Sequence, residues 1–268
     1  MKEETRRALR LTAADPAGNI TLLVETPAAQ TQYERIARQL LAMPALDAEQ
    51  VGFLCPPRLG GAVRLEMMGG EFCGNAARCT GLYYAARHGV HGTVPVEISG
   101  CSHVLSVEAD PEQGAAWAEM PLPEGCEQVL LCSREMTMVR FEGMLHLVAP
   151  CAPLPEAEVA ALLPRLAQQK AVPAVGLLFV EGAQMTPAVY VRDTDSLVWE
   201  RSCASGSTAV ACCDALRRGD GVHRLALRQP GGTIETEVRV TGGALAAVRI
   251  GGSVRLSAPQ EVYLPEGV

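Results

Sequence analysis

The sequence predicts an α+β protein made of two related halves. Three observations lead there. Short runs of alternating apolar and polar residues dominate the chain. Gly and Pro punctuate them, with 26 and 18 copies in 268 residues. The third is a helix-like segment that occurs twice. "CGNAARCTGLYYAARHG" (73–89) can be laid over "CASGSTAVACCDALRRG" (203–219). Both open on a cysteine followed by small or polar residues, continue through an apolar stretch, and close on basic residues and a glycine. The spacing from Cys73 to Gly89 equals that from Cys203 to Gly219. These are the start and stop signals of one helix: orphan amides in front, cations and a C′ glycine behind.

Taken in order, the pattern places strands at 20–25, 51–54, 63–68, 94–98, 104–109 and 115–119 in the first half. "TQYERIARQLLAM" (31–43) carries apolar residues at helical spacing. In the second half "EAEVAALLPRLAQQ" is helical with Pro164 as an interruption. Strands follow at 175–180, 188–191, 197–200, 225–228, 233–240 and 246–251. "MPLPEGCEQ" (120–128) reads as the linker. The expected division is therefore 1–120, carrying Cys73, and 121–268, carrying Cys203.

Composition narrows the function. A net charge of -7 with scattered arginines argues against a nucleic-acid partner, and Arg217–Arg218 reads as a helix C-terminal feature. No run reaches 18 apolar residues, and the N-terminus lacks the apolar core of a signal peptide. Ten cysteines without a secretion signal imply free thiols and a cytoplasmic location. The lysines are Lys2, at the N-terminus, and Lys170, at a helix end. Neither suits a pyridoxal phosphate Schiff base, and no glycine-rich nucleotide motif is present, so no cofactor is expected. Cys79, Cys212 and Cys213 sit in helix interiors and are expected in the core; no C-x-x-C pair points to a metal. His88, His91, His103 and His223 are expected at the surface or at helix ends.

The two thiols are the candidate catalytic residues. Inverting an α-carbon requires removing a proton on one face and adding one on the other, which a thiolate and a thiol can share. A helix N-terminus offers free N–H groups to a substrate carboxylate and lowers a nearby thiol's pKa from about 8.5 toward neutrality. Gly74, Asn75 and the 204–207 stretch, with Ala204 and Ser205, would supply the amides. Glu71 and Glu200 each precede a thiol, and Glu200 is expected to position the substrate ammonium or tune Cys203. The expected architecture gives each half one helix N-terminus at a shared cleft.

"EFCGNAARC", with the later "ER" and Cys-small-Ser-Gly, resembles the cofactor-independent diaminopimelate epimerase family along most of the chain. That resemblance implies two pseudosymmetric α+β domains, each a mostly antiparallel sheet around a central helix, with one catalytic cysteine each. It carries Asn19 in "DPAGN", Gln50 in "EQVGFL", His146 in "GMLH", and the Glu200–Arg201 pair over as substrate-binding residues. This chain departs from the family where the second amino-acid centre of the substrate is held. Met67, Met144 and Ala174 stand there, and thioether and methyl groups cannot replace amide donors. The loops before both cysteines are short.

"MMGGEFCGNA" and "PAGN" are most similar to the histidine racemase branch, in which D-histidine serves nicotianamine-like metallophores. The resemblance implies an L-histidine to D-histidine racemase, with Glu49 as the acid that meets the imidazole, ahead of Asp47. The alternative is a diaminopimelate epimerase with an altered distal pocket; a small-ligand binding protein is a non-enzyme reading. Phenazine-type isomerases lack the cysteine pair, and proline racemases carry a Cys-Gly-His element absent here. The expected partner is a small amino acid, with a homodimer as the expected assembly, and no membrane or nucleic acid.

Overall fold

The computed structural model describes residues 6–265, so Lys2 lies outside the described residues. Internal contacts divide the chain into two units, 6–118 together with 251–265, and 119–250.

In the first unit, β1 (Arg6–Asp15) pairs antiparallel with β2 (Thr21–Val24), from Leu11↔Val24 to Ala14↔Thr21. Its other side is filled by the chain's last strands, Arg255–Leu256 and Gln260–Pro265, in a register running from Arg6↔Pro265 to Leu11↔Gln260. Helix α1 (Tyr33–Leu41) buries Tyr33, Ile36, Ala37 and Leu40, the i, i+3, i+4, i+7 stripe of an amphipathic helix. Strand β3 (Gln50–Cys55) lies parallel to β2 and antiparallel to β4 (Val63–Met67). After α2 (Gly74–His88), β5 (Gly92–Ile98) runs parallel to β4 and is followed by the antiparallel β6 (Leu105–Asp110) and β7 (Ala115–Glu119).

Strand periodicity sorts the side chains of this unit. Leu22, Val24, Val51 and Phe53 face α1, whereas Leu23, Leu54, Leu65 and Met67 face α2. Gln50 shares the α2 face through its parity with Leu54. Helix α2 is buried along nearly its whole length. At Gly81 a Cβ would lie 2.4 Å from Val107 Cγ1, so the closeness of helix and sheet requires glycine.

The second unit opens with the meander β8 (Gly125–Leu131), β9 (Arg134–Phe141) and β10 (Met144–Ala149). Helix α3 (Glu156–Lys170) crosses over to β11 (Ala174–Glu181), parallel to β10. Antiparallel β12 (Gln184–Val191) and β13 (Ser196–Trp199) come next. Helix α4 (Ala204–Arg218) is followed by the hairpin β14 (Gly221–Gln229)–β15 (Gly232–Thr241), and by β16 (Ala244–Gly251). Helices α3 and α4 cover opposite faces of one sheet. Leu145, Leu147, Val175 and Leu177 pack on the α3 side, and Val139, Leu178 and Val189 on the α4 side with Cys203 and Cys213.

The sheet-dominated α+β class is as expected, and every expected strand is present within a few residues at its ends. Four differences stand out. Strands β1, β8, β9, β10 and the two C-terminal strands were not anticipated. The expected linker 120–128 shrinks to 120–124, because Gly125–Leu131 pairs with β9 along its length. Pro164 does not interrupt its helix; α3 runs through it. Residues 251–265 join the first unit rather than the second, because β1 supplies their hydrogen-bonding partner. No helix among the described residues is long and apolar enough to cross a membrane.

Candidate active site

Cys73 and Cys203 occupy the same position on two different helices. Each is an N-cap residue with extended backbone, φ -136° and -121°, directly before a buried helix. The Cys73 sulfur accepts the Ala76 N–H at 3.4 Å, and the Cys203 sulfur accepts the Gly206 N–H at 3.4 Å. The thiols thus take the place usually held by a Ser or Asp oxygen, meeting one of the orphan donors of the first turn.

In the first unit, the Cys73 thiol donates to Gln50 Oε1 at 3.2 Å, which also accepts from Thr21 Oγ1 at 3.3 Å. Beside it runs a buried amide chain. Arg78 Nε donates to Asn75 Oδ1 at 3.3 Å, Asn75 Nδ2 to Asn19 Oδ1 at 3.2 Å, and Asn19 Nδ2 to Glu49 Oε2 at 2.8 Å. Arg78 also donates to the Pro16 carbonyl at 3.0 Å. The turn that delivers Asn19 is closed by Asp15, whose Oδ1 accepts the Gly18 N–H at 2.6 Å and whose Oδ2 meets Arg255 at 2.5 Å. Ala17 and Gly18 hold positive φ values of 74° and 95°, a conformation costly for alanine, at this site-forming turn. Asn19, Glu49, Gln50 and Asn75 therefore do converge beside Cys73 and Gly74. Asp47 is an exposed residue closing the 44–46 turn, with φ 43°.

In the second unit, Cys203 is held by its backbone. Its N–H donates to Gln229 Oε1 at 2.7 Å, Gln229 Nε2 donates to Ser207 Oγ at 2.9 Å, and Ser207 donates back to the Cys203 carbonyl at 2.8 Å. His146 Nε2 lies 2.9 Å from Ser205 Oγ, which lies 3.5 Å from the Cys203 sulfur and 3.6 Å from Met144 Sδ. The Glu200 carboxylate hydrogen bonds to the Cys203 thiol. Arg201 accepts the Gly231 N–H on its carbonyl at 2.7 Å. Ala204 begins α4. Of the residues expected in the distal pocket, Met144 does lie beside Ser205 and pairs in register with Ala174, whereas Met67 packs in the α2 core.

The thiols are not near-neutral acids. Burial pushes Cys73 up to about 11, helped by the charge of Glu71 and opposed by the Ala76 and Asn75 amides and Gln50. Burial likewise raises Cys203, with Glu200 adding to it and Ser205 and the Gly206 amide opposing. The expectation that helix amides would bring the thiols toward neutrality is corrected here: desolvation of the charged form outweighs one or two N–H donors. Burial pushes His146 down to about 3, so its ring is neutral.

Arg78, Thr21 and Gln229 were not anticipated, and Ser207 was expected for its amide, not for the hydroxyl that joins Gln229 to the Cys203 carbonyl. Arg78 is the largest fully buried side chain among the described residues, and an arginine amid a small apolar helix segment was the signal for it. The remaining histidines and cysteines behave as expected. His88 is exposed and stacks on Tyr84 at 4.2 Å, His91 and His103 are exposed, and His223 reaches the Gly219 carbonyl at 2.7 Å. Cys79, Cys212 and Cys213 are buried. Arg217 and Arg218 pair with Asp214 at the end of α4. Lys170 is an exposed residue ending α3. Among the described residues no three His, Cys, Asp or Glu side chains converge as a metal-ligand set.

The fold is shared with proteins of known structure. A phenazine biosynthesis protein of the PhzF family from Bacillus anthracis superposes with a TM-score of 0.71 at 12% identity, covering 96% of this chain and 99% of that one. A hydroxyproline epimerase from Agrobacterium vitis, with bound trans-4-OH-L-proline, superposes with a TM-score of 0.67 at 12% identity, covering 98% and 95%. Residues 9–263 match the family model described as "Histidine racemase CntK N-terminal domain", and the chain belongs to that family. A histidine racemase of Fusobacterium nucleatum subsp. nucleatum is 28% identical over 263 residues, covering 93% of this chain and 95% of the relative. One from Staphylococcus aureus (strain Mu50) is 28% identical over 244 residues, covering 85% and 88%.

Proposed function

We propose that this chain is a histidine racemase that works without a cofactor, using Cys73 and Cys203 as its acid–base pair. One observation carries the assignment of the pair: in each unit the N-cap of a buried helix is a cysteine whose sulfur meets a first-turn amide at 3.4 Å, within a chain of the histidine racemase family. One sulfur, as thiolate, takes the α-proton; the other, as thiol, gives a proton to the opposite face of the carbanion. The enolate-like charge on the substrate carboxylate is met by further N–H groups of the two first turns, for which one well-aimed donor contributes roughly 3 kcal/mol. Glu49, fixed by Asn19 at 2.8 Å, is the acceptor for an imidazole N–H.

Circular dichroism of L-histidine and of L,L-diaminopimelate incubated with the protein tests the substrate. Loss of the histidine signal alone is expected, and faster turnover of diaminopimelate would overturn the assignment. Cys73→Ser and Cys203→Ser are each expected to lower histidine racemisation by about 10³-fold, since a hydroxyl is a far weaker acid than a thiol. Full activity in either variant would remove that cysteine from the pair.

A further inference from the structure

We infer that Ser205 and His146 form a hydrogen-bond donor chain that receives the negative charge developing on Cys203, with His146 as the positioning residue. The inference rests on the proposal above that Cys203 is one of the two reacting thiols.

The chain begins at a glycine. His146 on β10 stands in register with Gly176 on β11, both on the sheet face that α4 covers. A Cβ at position 176 would lie 2.2 Å from His146 Nδ1, so the β11 backbone is pressed against that edge of the ring. Nδ1 is buried and has no hydrogen-bond partner among the described residues. An orphaned buried N–H is among the rarest defects in folded proteins, and a bare acceptor is better tolerated. The single proton of the neutral ring therefore sits on Nε2, from which it donates to Ser205 Oγ at 2.9 Å.

That bond decides where Ser205 points. With its oxygen accepting from His146, the hydroxyl has one hydrogen and two neighbouring sulfurs, Cys203 Sγ at 3.5 Å and Met144 Sδ at 3.6 Å. A thioether and a neutral thiol are weak acceptors, whereas a thiolate makes a charge-assisted bond about twice as strong. The hydroxyl turns to Cys203 when that sulfur is charged and is released toward Met144 when it is protonated. No proton travels along the chain. The Cys203 proton passes to the substrate α-carbon in one direction and returns from it in the other, and the two hydrogen bonds shift only their strength. Ser205 thus opposes the Glu200 carboxylate, which favours the thiol. This gives Ser205 and His146 work on the enzyme's sulfur rather than on the substrate.

The rate at which methyl methanethiosulfonate labels Cys203 at fixed pH, read by peptide mass spectrometry, tests this. The reagent consumes thiolate, forming the methyl disulfide and releasing methanesulfinate. In Ser205→Ala the Cys203 rate is expected to fall about threefold or more; a tenfold loss of thiolate is partly offset by the higher nucleophilicity of a more basic sulfur. Removing an oxygen beside the sulfur opens access, so a steric effect would act in the opposite direction. Ser205→Thr, which keeps the hydroxyl, and His146→Gln, which keeps an N–H donor, are expected to retain the rate. His146→Phe is expected to lower it, and labelling of Cys73 stays constant throughout. A Cys203 rate in Ser205→Ala equal to or above the parent's overturns the inference. Racemisation by Cys203→Ser is measured separately, so failure of the catalytic role of Cys203 is distinguishable from failure of the donor chain.

Discussion

Two glutamines hold the two cysteine caps by different atoms, and the difference bears on how the thiols titrate. Gln50 accepts from the Cys73 side chain itself, whereas Gln229 accepts from the Cys203 backbone and leaves that sulfur to Ser205, Glu200 and the Gly206 amide. Both thiols are protonated at neutral pH, because burial raises them. A two-base reaction needs one sulfur charged and the other not, so kcat/KM is expected to climb from pH 6.5 to pH 9, by at most tenfold per unit. A flat profile of initial rates over that range would contradict the thiol assignment. Stability moves the other way. Burial pushes Cys73 from the ordinary thiol range of an unfolded chain up to about 11. Its contribution is complete below pH 9 and is lost as pH rises through 11. Thermal melts at pH 7, 9 and 11 are expected to show the decline above pH 9, and Cys73→Ser is expected to lessen it.

At the level of elements, α3 carries an avoidable cost. Pro164 lies within a continuous helix from Glu156 to Lys170, where it cannot donate to the Ala160 carbonyl and its ring crowds that turn. Replacing it by alanine is expected to stabilise the protein by about 1–3 kcal/mol, read as a higher urea midpoint with unchanged racemisation. An unchanged or lower midpoint would mean that the ring's packing outweighs the lost bond. The sequence made the two capped helices legible, because cysteine, small residues, basic residues and glycine mark both ends of each. It also pointed to Asn19, Glu49, Gln50 and Asn75, which the structure gathers beside Cys73. It concealed β8 to β10, since "GCEQVLLCSREMTMVRFEGML" has Cys132 and Ser133 at φ 49° and 58° in its first turn, where asparagine or glycine would have announced a hairpin. Gln229 and the Ser207 hydroxyl were hidden for another reason: a polar side chain in a strand or helix shows its role only when the tertiary fold brings it to its partner.

For the whole molecule, the notable feature is that the chain's end completes its beginning. Local patterning suggested a cut near residue 120 and left everything after it in one half, but strand pairing is a non-local property. Gln260–Pro265 lies along β1, and Leu264 is buried in the same cluster as Leu9, Leu11, Tyr33 and Ile36. Deleting residues 259–268 would strip β1 of its partner from Arg6 to Leu11 and remove Leu264 from that cluster. Burying one leucine contributes about 1.5–3 kcal/mol, and the lost ladder adds to this, so a loss of about 3 kcal/mol or more is expected. The bared β1 edge would also invite pairing with other chains. The truncated protein is therefore expected to unfold at a lower urea concentration and to scatter more light than the full chain. Cys73 lies in the unit that depends on this closure, and Cys203 does not. Labelling of Cys73 is expected to accelerate on truncation well before that of Cys203. Equal acceleration at both sites would show that the two units unfold as one.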